Sequence, residues 1–351
     1  MEELIKAFDF KGEFVKSDVI GDGHINSTFA FTFLEEGKEK RYLVQQINTF
    51  VFTEPVKLME NMVGVTNHIN KKILLRGGDP LREGLIVYPA LDGKPYYVSS
   101  DGKYWRCFNF VENAHTYQII PSAEVFGKGA RAFGNFQKML ADYPIDSLHE
   151  TIVNFHNTKS RFNDFKKAVE ENISGRKCNV EKEIAFFMEH EKDYGVILDL
   201  IEKGELPLRV THNDTKLNNV MFDNDTNDAI CVVDLDTVMP GSSLYDFGDA
   251  IRSGCNTAAE DEKDLSKVNF SLELYESFVK GWLEACGNTL TENEVKFLPF
   301  SAKLMTLECG MRFLGDYLNG DVYFKTDYPD HNLVRARTQI KLVEEMERVI
   351  F

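Results

Sequence analysis

The stretch from Val210 to Asp249 limits what this chain can fold into more than any other. It reads VTHNDTKLNNVMFDNDTNDAICVVDLDTVMPGSSLYDFGD. A polar cluster, His212 to Asn219, leads into the apolar run Val220-Met221-Phe222. Asp223 to Asp228 are turn residues. A second apolar run, Ala229 to Val233, ends at Asp234. Two apolar runs around an Asn/Asp/Thr cluster predict a β-hairpin. A turn centred between Thr226 and Asn227 sets Phe222 against Cys231, Val220 against Val233 and Asn219 against Asp234. Paired strands lie about 5 Å apart. That register places an amide oxygen beside a carboxylate at the open end of the hairpin, with Asp214 on the loop leading in; a slip of one residue would put them on opposite faces. Such hard oxygen donors suit Mg²⁺, which takes few protein ligands and shares the rest with phosphates and water.

The remainder of the chain bounds the context. Its 351 residues predict two domains or lobes. A formal charge of −16 lacks the electrostatic footprint of a nucleic-acid binder. The first residues, Met1-Glu2-Glu3-Leu4-Ile5-Lys6, do not read as a signal peptide. No apolar run is long enough to span a membrane. The cysteines (107, 178, 231, 255, 286 and 309) are scattered without a C-x-x-C pair. A reducing, cytoplasmic setting is therefore expected, with neither a disulfide framework nor a zinc site.

In chain order, strands are expected at 14–20, 29–34 and 41–48. Between the first two lies Gly21-Asp22-Gly23-His24-Ile25-Asn26-Ser27-Thr28. Its glycines let backbone amides approach a phosphate; taken alone, the turn rules favour a plain hairpin turn. A helical pattern follows over 54–75, on Val56, Met59, Met62, Val63, Thr66, Ile69 and Ile73, and it carries Glu60. Arg76-Gly77-Gly78-Asp79-Pro80 ends it. A strand at 85–88 precedes a hairpin, 96–98 and 104–111, turned by Asp101-Gly102. Beyond residue 111 helices dominate: 122–142, 146–169, 180–203, 243–252, 262–286, 291–318 and 330–350. In the last, Ala336, Ile340, Val343, Met346 and Ile350 form a core-facing stripe. The switch from β to α predicts an N-lobe over 1–111 and a C-lobe over 112–351.

This order of parts is that of protein kinases: glycine-rich hairpin, strand, helix with a Glu, H-x-D-x-x-x-x-N, then an Asp closing a hairpin strand. The His-Arg-Asp, D-F-G and A-P-E landmarks are absent. The residues His212-x-Asp214-x₄-Asn219, Val233-Asp234-x-Asp236 and Tyr245-Asp246-Phe247-Gly248-Asp249 instead resemble the aminoglycoside phosphotransferase and choline-kinase-like family of small-molecule kinases. The resemblance runs over essentially the whole chain. It implies an α+β, protein-kinase-like two-lobed fold with a small β-rich N-lobe and a large helical C-lobe. Within the family, Val238-Met239-Pro240-Gly241 and the segment Met311-Arg312-Phe313-Leu314 to Phe324 look most similar to kinases that phosphorylate N-acetylhexosamines at the anomeric hydroxyl.

What the resemblance implies is specific. Asp214 is the base that takes the acceptor's proton. Asn219 and Asp234 hold Mg²⁺. Gly21, Gly23, Asn26, Ser27, Thr28 and Gln45 line the ATP phosphates, and Phe110 to Glu112 meet the adenine. His212 and Asp246 support the loop structurally. Asp236 lies behind the metal or contacts a second one. His24, Arg312 and Tyr317 are candidates for the acceptor, although Arg312 also reads as a salt-bridge partner of Asp316. ATP and a small sugar are the partners. Acceptor, hydroxyl, ATP against GTP, and monomer against dimer are not fixed by these motifs. One departure matters: the strand that should carry a phosphate-binding lysine reads Val44-Gln45-Gln46-Ile47, and Gln brings no charge. Glu60 thereby loses the partner it would have. Two rivals stay open. Ile230 to Val238 also fits the nucleophile motif of haloacid-dehalogenase-type phosphatases, and the missing lysine would suit a non-catalytic binding module.

Overall fold

A computed structural model describes residues 1–20 and 26–351. The expectations for Gly21, Gly23 and His24 lie outside the described residues. Contacts divide the chain into two compact units. The first comprises Met1–Thr116, Met139–Ile152 and Asn219–Pro240; the second comprises Tyr117–Lys138, Val153–Asn218 and Gly241–Phe351.

The first unit opens with a short helix α1 (Glu2–Ile5) and is built on an antiparallel sheet. Its strands are β1 (Glu13–Val19), β2 (Ser27–Glu35), β3 (Lys38–Gln46), β4 (Val87–Tyr88), β5 (Tyr97–Val98) and β6 (Tyr104–Asn109). The order is β1-β2-β3-β6-β4, with β5 also on β6, so β3 and β6 are central. Alternation puts Phe31, Phe33, Tyr42, Val44 and Cys107 on the face that buries Leu4 and Phe8. Helix α2 (Pro55–Leu75) starts with proline at its first position, where the missing N–H costs nothing. Its buried face is Leu58, Met59, Met62, Val65, Thr66, Ile69 and Ile73. Val56, placed in the stripe by spacing, is instead 37% exposed. A short α3 (Pro80–Glu83) follows. A second antiparallel sheet joins β7 (Ala114–His115) to the hairpin β9 (Val220–Asp223) and β10 (Ala229–Val232).

The second unit is helical: α4 (Ala123–Met139), α5 (Thr158–Glu171), α6 (Glu181–Glu189), α7 (Val196–Glu202), α8 (Ser243–Gly254), α9 (Leu272–Cys286), α10 (Glu292–Lys296), α11 (Leu298–Asn319) and α12 (His331–Val349). Strand β8 (Arg209–Thr211) enters the polar loop, and β11 (Met239–Gly241) leads into α8. Helix α11 packs on α5, α8 and α12, burying Leu304, Leu307, Met311 and Leu314.

Four expected helices are shorter than their periodicity suggests. The one expected at 146–169 begins only at Thr158: Asn154 sits at φ 56°, and Asn157 caps the helix by accepting from the Ser160 N–H. That at 180–203 breaks between α6 and α7, where Gly195 caps the second. That at 262–286 waits for the Ser271 cap. That at 291–318 splits at Phe297, because Pro299 cannot continue the α10 ladder.

All elements after β11 are helical. The phosphatase motif leads directly into an α/β domain, whereas here the turn after Asp234 leads into the three-residue β11 and then the helix α8, so that alternative is set aside. No helix of the described residues is long and apolar enough to cross a membrane.

The cysteines are free, and only Cys178 is exposed. Burial pushes the thiols of Cys231 and Cys286 up to about 12 and that of Cys309 up to about 11. Thiolates are the reactive form. Iodoacetamide at mildly alkaline pH should therefore label the native protein at Cys178 alone, as read by intact mass and peptide mapping. Modification of Cys231 or Cys286 in the native state would contradict this packing.

Candidate active site

The loop after β8 has no ladder of its own, so its backbone N–H groups need other partners. Asp246, in the first turn of α8, supplies them. Its carboxylate accepts from the N–H of His212 at 2.9 Å, the N–H of Asn213 at 2.7 Å and the Gln137 amide at 2.7 Å. The Thr215 hydroxyl donates to the Asp246 carbonyl at 2.5 Å. One turn on, Asp249 accepts from the Thr215 N–H at 3.2 Å and pairs with Arg252 at 2.8 Å. Burial pushes the Asp246 carboxyl up from its usual range, against the pull of His212 and these hydrogen bonds. Burial also opposes ionisation of Asp249, but Arg252 and Lys216 outweigh it and hold that carboxyl low.

His212 is fully buried between the rings of Phe133 and Phe136, and its Nδ1 accepts from the Asp214 N–H at 3.3 Å. Asn213 adopts a left-handed conformation, φ 65°. The loop passes so close to Gly241 that a Cβ there would lie 2.5 Å from the Thr211 hydroxyl, which accounts for glycine after Pro240. Asp214 itself is partly exposed, and Lys216 Nζ lies 3.1 Å from its Oδ1. Asp214 is the main cause that raises the Lys216 pKa above its ordinary value. Sequence reading missed Lys216, although a cation two residues from Asp214 was its signal. It also missed His156, which bonds Glu308 at 2.8 Å and faces the Asn213 carbonyl at 3.4 Å.

Asn219 and Asp234 belong to the first unit. The hairpin register differs from the expected one. Phe222 pairs with Ala229, Met221 with Cys231 and Val220 with Val232, with a bulge between Ala229 and Cys231. The extra residue shifts the open end by one, so the Val233 N–H donates to the Asn219 carbonyl at 2.9 Å. Asp234 lies one step further and takes a left-handed conformation, φ 59° and ψ 58°. Turn chemistry at Thr226-Asn227, with Asn227 at φ 56°, allowed this and periodicity could not show it. The amide of Asn219 and the carboxylate of Asp234 are hard oxygen donors, and that set fits Mg²⁺ arriving with a nucleotide's phosphates. Among the described residues no three His, Cys, Asp or Glu side chains cluster to hold a metal unaided.

Asp236 is buried at 3% exposure and paired with Arg106 of β6, Nη1 to Oδ1 at 2.5 Å. Arg106 also donates to Gln45, and Gln45 to Thr28 at 3.0 Å. Asn26 donates to Asp236 at 2.6 Å. Ser27 is exposed and pairs in register with Gln46. Arg106 was missed; a lone arginine in the apolar run Tyr104 to Phe108 was the available signal. Glu60 is taken by His149 at 2.6 Å. Arg41 covers the Phe110 ring at 3.8 Å and bonds the Glu112 carboxylate, while Arg82 donates to the Glu112 carbonyl.

Among the described residues, the cavities of the second unit include two that matter here. One, of about 240 Å³, is lined by the loop itself: Lys216, Leu217 and Asn218, with Gln118, Arg252, Asn256, Glu260 and Gln339. The other, of about 160 Å³, holds Arg161, Arg312, Tyr323 and Phe324. Arg312 is not tied to Asp316 as its spacing suggested. It lies over the rings of Tyr323 and Phe324, at 5.6 and 5.5 Å, while Asp316 accepts from the N–H groups of Val322, Tyr323 and Phe324. Tyr317 does not line this cavity; it is 2% exposed, beneath Arg176.

The phosphotransferase enzyme family (APH) matches residues 18–276, from β1 to α9 and through the whole loop. The chain belongs to this family. Among solved structures, an aminoglycoside phosphotransferase from Alicyclobacillus acidocaldarius is 11% identical over 98% of this chain and 94% of its own, with a TM-score of 0.60. A spectinomycin phosphotransferase in complex with ADP and spectinomycin is 12% identical over 96% and 94%, TM-score 0.56. A choline kinase from Streptococcus pneumoniae is 14% identical over 95% and 94%, TM-score 0.53. At these identities the likeness is one of fold: APH-type phosphotransferases share the β-rich N-terminal and helical C-terminal regions seen here.

Asp246→Ala would orphan the N–H groups of His212 and Asn213 together. At about 1–3 kcal/mol for each buried unsatisfied donor, the expected loss of stability is on the order of 3 kcal/mol by urea denaturation. A loss well under about 1 kcal/mol would mean that Asp246 does not hold the loop.

Proposed function

We propose that this APH-family kinase phosphorylates an N-acetylhexosamine (N-acetylglucosamine or N-acetylgalactosamine) at its anomeric hydroxyl, an N-acetylhexosamine 1-kinase using ATP. The observation that carries the acceptor class is the cavity lined by Lys216, the ion-pair partner of Asp214. Its wall combines four neutral amides, Gln118, Asn218, Asn256 and Gln339, with Lys216 and with Arg252 against Glu260. Side-chain amides donate and accept at once, which matches sugar hydroxyls and an N-acetyl group. A cationic aminoglycoside would call for a surplus of carboxylates, and choline for an aromatic cage. The cavity of Arg312 is the second place for an acceptor contact. It is connected to the loop through Phe155, whose ring neighbours His156 at 4.5 Å.

The chemistry follows from the residues. The Asp214 carboxylate orients the anomeric O–H and takes its proton as the oxygen attacks the γ-phosphorus. The new O–P bond forms as the bond to the β-phosphate oxygen breaks, releasing ADP. Lys216 sets a positive charge beside this exchange. Asn219 and Asp234 are suited to hold Mg²⁺, which when bound neutralises phosphate charge. Such transfer is mostly positioning and charge neutralisation. In this reading residues 1–111 serve the nucleotide, with Gly21, Gly23, Asn26, Ser27, Thr28 and Gln45 toward its phosphates and Phe110 to Glu112 toward adenine. Residues 112–351 serve the base and the acceptor. The free cysteines suit a reducing cytoplasm.

A panel of acceptors with Mg·ATP, read by ADP release, tests the reading. N-acetylhexosamines should be turned over in preference to aminoglycosides, choline and methylthioribose; turnover of cationic acceptors alone would reject it. Asp214→Asn should keep the fold and lose about 10²–10⁴-fold in kcat, as removal of a general base does. Near-wild-type turnover in that variant would remove Asp214 from the role.

A further inference from the structure

Gln45 stands where a kinase of this order carries its lysine, and its cross-strand partner is Arg106. The guanidinium is 1% exposed. Its Nη1 and Nη2 meet the two oxygens of Asp236 at 2.5 and 2.9 Å, and its Nε donates to Gln45 at 3.1 Å. Asp236 also accepts from Asn26, and Asn26 in turn accepts from the Asn48 N–H at 3.0 Å. Arg106 of β6 and Asn26, the residue before β2, therefore converge on one carboxylate, and Gln45 of β3 holds Arg106 in place.

That carboxylate lies in the turn that follows Asp234. The 3₁₀ turn Leu235–Thr237 is closed by the Val238 N–H to the Leu235 carbonyl at 3.2 Å. A non-glycine residue in the left-handed region persists only where its surroundings over-determine it. Here Arg106 holds the turn through Asp236, and Asn61 of α2, next to Glu60, holds its far end by donating to the Val238 carbonyl at 3.0 Å. The turn is thus held by the immediate neighbours of Gln45 and Glu60, one across the strand and one along the helix.

We propose that Arg106 is a positioning residue: through Asp236 it sets the turn that presents Asp234, in place of the absent strand lysine. This rests on the kinase reading, in which Asp234 meets the nucleotide's metal. Contact with phosphate is not its role, because the guanidinium is buried and committed to Asp236 and Gln45. Only arginine's rigid fork serves both at once; lysine is a point charge. Stability alone does not explain the pair, since apolar replacements of buried ion pairs are often as stable.

The test uses R106M/D236L, which replaces the pair by apolar groups, and R106K, which keeps the charge and loses the fork. R106M/D236L should melt close to wild type. In nucleotide-free protein its Val238 amide should exchange at least about tenfold faster. Its kcat/KM for Mg·ATP should fall about 10–100-fold with a raised Mg²⁺ requirement, the usual scale for groups that orient a metal ligand. R106K should fold and show the same raised requirement in smaller degree, which keeps the test open if the double variant misfolds. Wild-type exchange at Val238 together with a wild-type Mg²⁺ requirement in these variants would overturn the inference alone. A wild-type protein that neither binds nor turns over Mg·ATP would overturn the kinase reading and this inference with it.

Discussion

A loop with no structure of its own before the 3₁₀ turn Leu217–Asn219 carries the polar cluster of this protein, and a buried carboxylate holds it. Asp246 accepts two consecutive backbone N–H groups of the loop and a side-chain amide, while its own carbonyl takes the Thr215 hydroxyl. Its place in the first turn of α8 favours a negative charge there. The helix is fixed in turn by its packing on α11, so the position of Asp214 derives from the core of the second unit. His212 packs its ring on Phe133 and Phe136, accepts from the Asp214 N–H and stays out of reach of solvent.

The first unit solves a related problem with a buried ion pair. Asp234 stands at the end of a bulged hairpin in a conformation that a short turn does not maintain unaided. Arg106 and Asn61, from the sheet and from α2, grip the turn on both sides. Buried charge is expensive unless paired and hydrogen-bonded, and Asp236 has the Arg106 guanidinium as its ion-pair partner and accepts from Arg106 Nη2 and the Asn26 amide. The cost is accepted where geometry is demanding.

Much of this was legible in the sequence. The strands, α2, the last helix and the change from sheet to helices follow from period and turn residues. The family follows from His212, Asp214, Asn219, Asp234 and Asp246 at their spacing, and the APH match bears it out. What periodicity missed has local causes. The bulge between Ala229 and Cys231 changes the register at Asp234 without changing the apolar pattern. Asn157, Ser271 and Pro299 set helix starts that an apolar stripe runs straight through. Arg106 escaped notice because its role depends on a partner 130 residues away, and only the β3–β6 register brings Gln45 and Arg106 side by side.

The central claim is a phosphoryl transfer to an anomeric oxygen, and the product reports it directly. Phosphorus NMR of the reaction with Mg·ATP and N-acetylglucosamine should show one new phosphomonoester resonance, split by the anomeric proton and absent when Mg²⁺ is chelated. A phosphomonoester coupled to another ring position, or ADP formed without any sugar phosphate, would contradict it.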